Sequence, residues 1–285
     1  MTIKEATPSL RMYKPLRGYK FSRQDLKDLN VLLKELAKEA GNLEVSVYTK
    51  TIDQTLEEFE ADKKLIKDLF DIHVQVEIAT GAVLSQRGEA IFDRPDMPRA
   101  ITGVEFDTAY IFRSSVNRGP RNRAYVLLDF RTITSPGVNV QPAHETPNNS
   151  QILVEGDNQN WVRSAYSKID EFLEARRRKG IWIHKAGIYD IFLMTFGVLF
   201  IAWVMTWAVP FVDRLFAGYS QIYIYSGYAF SFLIALRFFM FMFDYSRLIW
   251  PLLEYKENSE LLVRHRFVWS TILLGVIAGI IKDLL

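Results

Sequence analysis

Ile191 to Val209 reads IFLMTFGVLFIAWVMTWAV. A helix rises about 1.5 Å per residue and the hydrocarbon core of a bilayer is about 30 Å thick, so an uncharged run of about 19 residues is just long enough to cross it. Directly upstream stands the cluster Arg176, Arg177, Arg178 and Lys179, and most of the chain's 35 Lys and Arg and 33 Asp and Glu precede Asp190. The overall charged fraction of 24% therefore averages two unlike halves. Residues 1–180 read as a water-soluble α+β domain, and residues 181–285 as a transmembrane region of two or three helices.

Working outward from the quoted run, the spans are expected at about 188–210, 220–243 and 266–283. Tyr219, Tyr223, Tyr225 and Tyr228 cluster at the start of the second, as an interfacial aromatic belt does, and Trp207 belongs to the same interface. Phe267 to Ile281 is short for a span, so an interfacial or re-entrant C-terminal helix is the alternative to a third crossing. Lys185 adds to the basic cluster before the first span, and Arg247, Lys256, Arg264 and Arg266 lie between the second and third, whereas the first loop holds only Arg214. The positive-inside rule then places the domain in the cytoplasm, with a bacterial inner membrane as the expected location. The beginning of the chain, MTIKEATPSLRMYK, has no apolar core, so no cleaved signal peptide is expected.

Small residues let helices approach closely in lipid. Gly275 and Gly279, extended by Thr271, form one stripe, and Gly227, Ser231 and Ala235 form another. They would pack either within one subunit or between copies, and a homo-oligomer is expected. Arg237 is an intramembrane charge, and Asp244 on the same helix or Asp190 on the first is its expected partner; snorkelling to the headgroups is the alternative.

In the domain, residues 1–21 read as irregular, with a basic series at Arg11, Lys14, Arg17 and Lys20 that suits lipid headgroups or an acidic partner. Ser22 and Asp25 form a capping signal for a helix that Gly41 would stop. Leu43 to Tyr48 alternates as a strand does, and Asp53 to Phe70 reads as a second helix. Strands are expected from Ile72 to Ile78 and Ala82 to Ser85, and the alternating runs Val104 to Phe112 and Ala124 to Phe130 form a hairpin whose tip is a loop. Thr132 to Ser150 is a long excursion, and Gln151 to Glu155 a short strand. A helix from Asn158 to Lys179 then leads from the domain core to the membrane. The order argues a mostly antiparallel sheet with helices on one face.

Chemistry is sparse. There is no cysteine, hence no disulfide, thiolate or cysteine metal site. His73, His144, His184 and His265 are scattered without metal-ligand spacing, and no phosphate loop, dinucleotide fingerprint or nucleophile elbow occurs. No cofactor and no catalysis are expected. A net charge of +2 gives no case for nucleic acid. The anion-binding candidates are at the hairpin tip, Arg113, Ser115, Arg118, Arg121 and Arg123, because guanidinium forks and a hydroxyl suit phosphate or carboxylate. The membrane-surface candidates are the basic arm together with Arg176, Arg177, Arg178 and Lys179. The sequence thus points to a membrane protein whose domain senses an anionic ligand or binds a protein partner and acts on an oligomeric helix bundle. That layout is shared with pore-forming bacterial antiphage effectors; a docking subunit of a cytoplasmic machine is the alternative, and a membrane-surface enzyme a more distant one.

Overall fold

A computed structural model of the chain describes residues 10–131 other than Asp96 and Arg99, then 145–178 and 181–284. They form two compact units. The first takes residues 10–131 and 148–178 and also Leu252–Ser259 from between the second and third apolar helices; the second takes the remainder.

The first unit is an antiparallel sheet domain with helices. Its strands are β1 (Leu10–Pro15), β2 (Tyr19–Phe21), β3 (His73–Ile78), β4 (Val83–Arg87), β5 (Ile101–Asp107), β6 (Asn122–Asp129) and β7 (Gln151–Gly156). Six of them form one sheet in the order β1-β7-β6-β5-β3-β4, every neighbour antiparallel. Alternation along β6 puts Ala124, Val126 and Leu128 on the buried face, where they join Val104, Phe106, Ile152 and Val154 in one core. Helix α1 (Arg23–Ser46) contributes Leu26, Leu29, Leu33 and Leu36 to that core, and helix α4 (Gln159–Glu174) contributes Val162, Ala165 and Ile169. Helix α2 (Leu56–Asp68) begins at a Thr55–Glu58 capping box and packs along α1.

Several expectations need correcting. Residues 10–15 and 19–21 are strands, because β7 and a later segment supply partners that local sequence does not show. Leu43 to Tyr48 is not a strand: α1 runs to Ser46, and Gly41 lies inside it. A Cβ on Gly41 would fall 2.9 Å from the Phe70 ring, so this glycine makes room for packing rather than ending the helix. The tip between β5 and β6 is not all loop: helix α3 (Tyr110–Val116) follows β5, closed by Asn117 at a left-handed φ of 54°. The last helix of the domain stops at Glu174, not Lys179; Ala175 and Arg176 form a turn, and Arg177 bridges to Tyr19. His144 and most of the 132–150 excursion lie outside the described residues, as does Lys179.

The second unit holds three helices long and apolar enough to cross a membrane: α5 (Ile188–Leu215), α6 (Gln221–Ile249) and α7 (Ser259–Leu284), the apolar part of α7 being Leu262–Asp283. They pack around Tyr189, Phe200, Phe239, Phe243 and Trp269. Helix α5 widens to a π turn at Leu193–Gly197, where a Cβ on Gly197 would come 3.0 Å from Phe239. Basic side chains close the C-terminal carbonyls of α6, where the helix dipole favours them: Arg266 donates to Ile249 O (2.7 Å), and His184 Nε2 lies 2.6 Å from Trp250 O. His184 Nδ1 meets the Thr146 hydroxyl at 2.9 Å, so this buried histidine joins three stretches of the unit.

A candidate anion-binding cleft

Between α6 and α7 the chain returns to the domain as an eighth strand, β8 (Leu253–Tyr255), which pairs parallel with β2 in the register Tyr19–Leu253, Lys20–Glu254 and Phe21–Tyr255. On the other side of β2, Tyr19 bridges to Arg177; Lys20 N–H donates to Arg176 O (3.2 Å) and Arg178 N–H to Gly18 O (2.6 Å). Gly18, at φ 78°, makes the turn that starts this arrangement and donates its own N–H to Leu252 O (2.7 Å). Strand β2 is therefore clasped by two segments, one leading into α5 and the other joining α6 to α7.

Residues of β2, of these segments and of the start of α1 line a cleft of about 440 Å³: Lys20, Asp25, Ala175, Arg176, Arg177, Arg178 and Lys256. Two carboxylates hold its cations. Glu254, whose side chain is 1% exposed, accepts from Lys20 Nζ at 2.7 Å and from Arg178 Nη1. Asp25 completes the capping box of α1 with Ser22 and accepts from Arg176 Nε at 2.8 Å. Burial works to raise the Asp25 pKa, but the hydrogen bonds from Ser22 and Arg176 outweigh it and hold the carboxyl below its usual range. Arg176 also lies 3.5 Å from the centre of the Phe172 ring, which fixes the plane of its guanidinium. The walls are thus set in place, whereas Arg177 (58% exposed) and Lys256 (51%) stand at the mouth.

Five cations line the cleft, and three carboxylates each lie within hydrogen-bond distance of one of them: Asp25, Glu254 and Glu174. Asp28, 3.8 Å from Arg176 and 47% exposed, adds a charge that water screens. The cleft keeps a positive excess.

Comparison of the chain with models of protein families, with characterised proteins and with solved structures finds no significant match. The site is read from its own geometry.

Among the residues expected from sequence, the structure gathers Lys20, Arg176, Arg177 and Arg178 here. Lys256, from the segment after β8, joins them; its place between two spans gave no sign that it would. The rest of the basic arm is dispersed: Arg11 lies 3.5 Å from Glu155, and Lys14 pairs with Asp170 and Glu174.

The hairpin-tip arginines do not converge. Arg113 pairs with Asp107, Arg121 with Asp157 and Arg123 with Glu155. Arg118 donates to the fully buried Glu44 at 2.7 Å and to Tyr48 at 2.6 Å, and lies over the Phe112 ring. Ser115 is exposed.

The opposite face of the sheet carries a polar group that sequence reading missed, because its members come from four elements. His73 Nε2 lies 2.8 Å from Ser85 Oγ, and the imidazole is stacked on Tyr110 with ring centres 3.8 Å apart. Burial pushes the His73 pKa down against the pull of Asp107. Asp107 accepts from Ala109 N–H (2.7 Å) and Arg113, which directs its carboxylate to the start of α3. This is the bonding of a structural network. Among the described residues, no group of three His, Asp or Glu is placed to hold a metal ion.

In the second unit, Asp190, Asp244 and Arg237 are electrostatic neighbours of the buried Tyr189. The small-residue stripes divide. A Cβ on Gly227 would fall 2.6 Å from Val212, Ala235 is buried, and a Cβ on Gly279 would meet Trp203 at 3.3 Å. A Cβ on Gly275 would meet nothing within 4 Å, and Thr271 is exposed.

Proposed function

We propose that this is an integral membrane protein whose α+β domain lies in the cytoplasm, takes an anionic ligand or partner, and passes that event to an oligomeric, membrane-perturbing helix bundle. The observation that carries the proposal is strand β8. A domain attached by one flexible linker can bind without consequence for its anchor. Here the segment joining α6 to α7 is a strand of the domain, and the approach to α5 is hydrogen-bonded to the same β2. A shift of β2 or its cleft therefore displaces the chain leading into all three apolar helices.

The orientation draws support from the same segment. Two crossings bring the chain back to the domain's side at Leu252, where the basic residues between the second and third helices are concentrated. The open Thr271–Gly275 face of α7 supports packing against a second copy, since the companion stripe is used within the subunit.

Single cysteines at positions 217 and 257 test the topology, in a chain with none of its own. Labelling from outside at 217 alone is expected; labelling at 257 alone overturns it. Expression should lower the membrane potential, and Gly275→Leu should relieve the effect. An intact potential together with a stable complex with a soluble protein would instead make this chain a docking subunit.

A further inference from the structure

We infer that the cleft at β2 binds a phosphate monoester group, carried by an anionic lipid or by a soluble phosphate. The inference rests on the reading of the domain as an anion-taking module and names the chemistry it takes.

Three observations carry it. Cations reach the cleft from three separate segments of the chain: Lys20 from β2, Arg176 and Arg177 from the chain after α4, and Lys256 from the chain after β8. A monoester presents three free oxygens pointing in different directions, whereas a diester presents two and a carboxylate two in one plane. Second, the wall guanidinium of Arg176 is held in place before any ligand arrives, by Asp25 and by the Phe172 ring. Five N–H donors on each arginine leave Arg176 and Arg177 with bonds to give beyond those they already make. Prior fixation reduces the ordering cost of binding. Third, the cleft's positive excess suits a group of charge about −1.5 to −2 at pH 7 better than the single charge of a diester. The adjoining chain runs into the apolar helices on two sides, so the headgroup of a lipid and a phosphate from solution are both chemically admissible sources.

The test uses the full-length protein in neutral detergent, with thermal unfolding as the readout. The probes are inorganic phosphate, short-chain phosphatidic acid (a monoester) and short-chain phosphatidylglycerol (a diester). A rise in Tm with phosphatidic acid, and little with phosphatidylglycerol, is expected. A matching rise with inorganic phosphate assigns a soluble source; its absence assigns the lipid. Arg177→Ala combined with Lys256→Ala, both at exposed positions, should raise the half-saturating concentration by at least about tenfold, the effect of losing about 1.4 kcal/mol. The response should also weaken below about pH 6, where the monoester takes up a proton. Equal responses to both lipids, no response to any probe, or an undiminished response in the double variant would overturn the proposal. The Tm shift reads binding alone. It therefore survives if coupling to the helices fails, and a lowered membrane potential survives if the phosphate assignment fails.

Discussion

Two arginine-rich stretches of this chain look alike as sequence and differ as structure. The tip holds Arg113, Arg118, Arg121 and Arg123; the approach to the first apolar helix holds Arg176, Arg177 and Arg178. At the tip each guanidinium is met by a carboxylate, Asp107, Glu44, Asp157 and Glu155 in turn, and the charge is spent on holding the fold. In the second stretch the carboxylates are shared and outnumbered: Glu254 serves both Lys20 and Arg178, and Asp25 serves Arg176 with Lys256 nearby. Composition registers the arginines but not the carboxylates opposite them, and it is the latter that decide whether a basic cluster can take a ligand.

The comparison breaks most sharply at Arg118. Its removal to Ala leaves Glu44 fully buried without its charge partner, and a loss of about 3–5 kcal/mol is expected. Denaturant unfolding followed by near-UV circular dichroism measures it, and Glu44→Gln in the same chain should recover part of the loss. A cost below about 1 kcal/mol would show the tip to be no more structural than the cleft. Glu254→Ala comes next, at about 2–3 kcal/mol, because its two cations remain partly hydrated at 31% and 21% exposure. The same unfolding measurement ranks it below Arg118→Ala.

A smaller effect appears as pH dependence. The hydrogen bond from Lys14, with help from Arg177 and Tyr19, holds Glu174 down at about 2 against an ordinary 4.5. The lowered folded-state value means that this contribution is complete above about pH 4.5 and is lost as the pH falls toward 2. Lys14→Met should therefore flatten the fall in Tm across that window while changing little near neutrality; an unchanged acid limb would place the dependence elsewhere. Arg177→Ala stands at the bottom, with no measurable change in the unfolding midpoint expected for an exposed pair. That small cost in stability beside a large cost in binding is the signature that separates the cleft from the tip.

Much of the fold was legible because its signals are local. The Ser22–Asp25 cap, the leucine spacing of α1 and the alternation of β6 each specify an element from a few adjacent residues. Errors fell where a distant partner decides. Gly41 looks like a helix stop until Phe70 is seen against it. Leu10 to Pro15 looks irregular until β7 pairs with it. Leu253 to Tyr255 is three residues between two apolar helices, too short for any periodicity, and reads as a loop. The cleft was half legible for the same reason: the run at Arg176–Arg178 announces itself, but Lys256 and Glu254 reach it only through that unread strand.

Strand β8 also orders the making of the molecule. Leu252, Leu253 and Tyr255 belong to the domain's core, packed with Leu16, Phe21 and Phe130, yet they are synthesised after both α5 and α6. Until residue 255 has been made, the domain lacks these side chains and β2 lacks the partner on one of its edges. A fragment cut before residue 252 lacks part of its own interior. In this chain the domain's interior is completed only by a segment that follows two of the apolar helices in sequence.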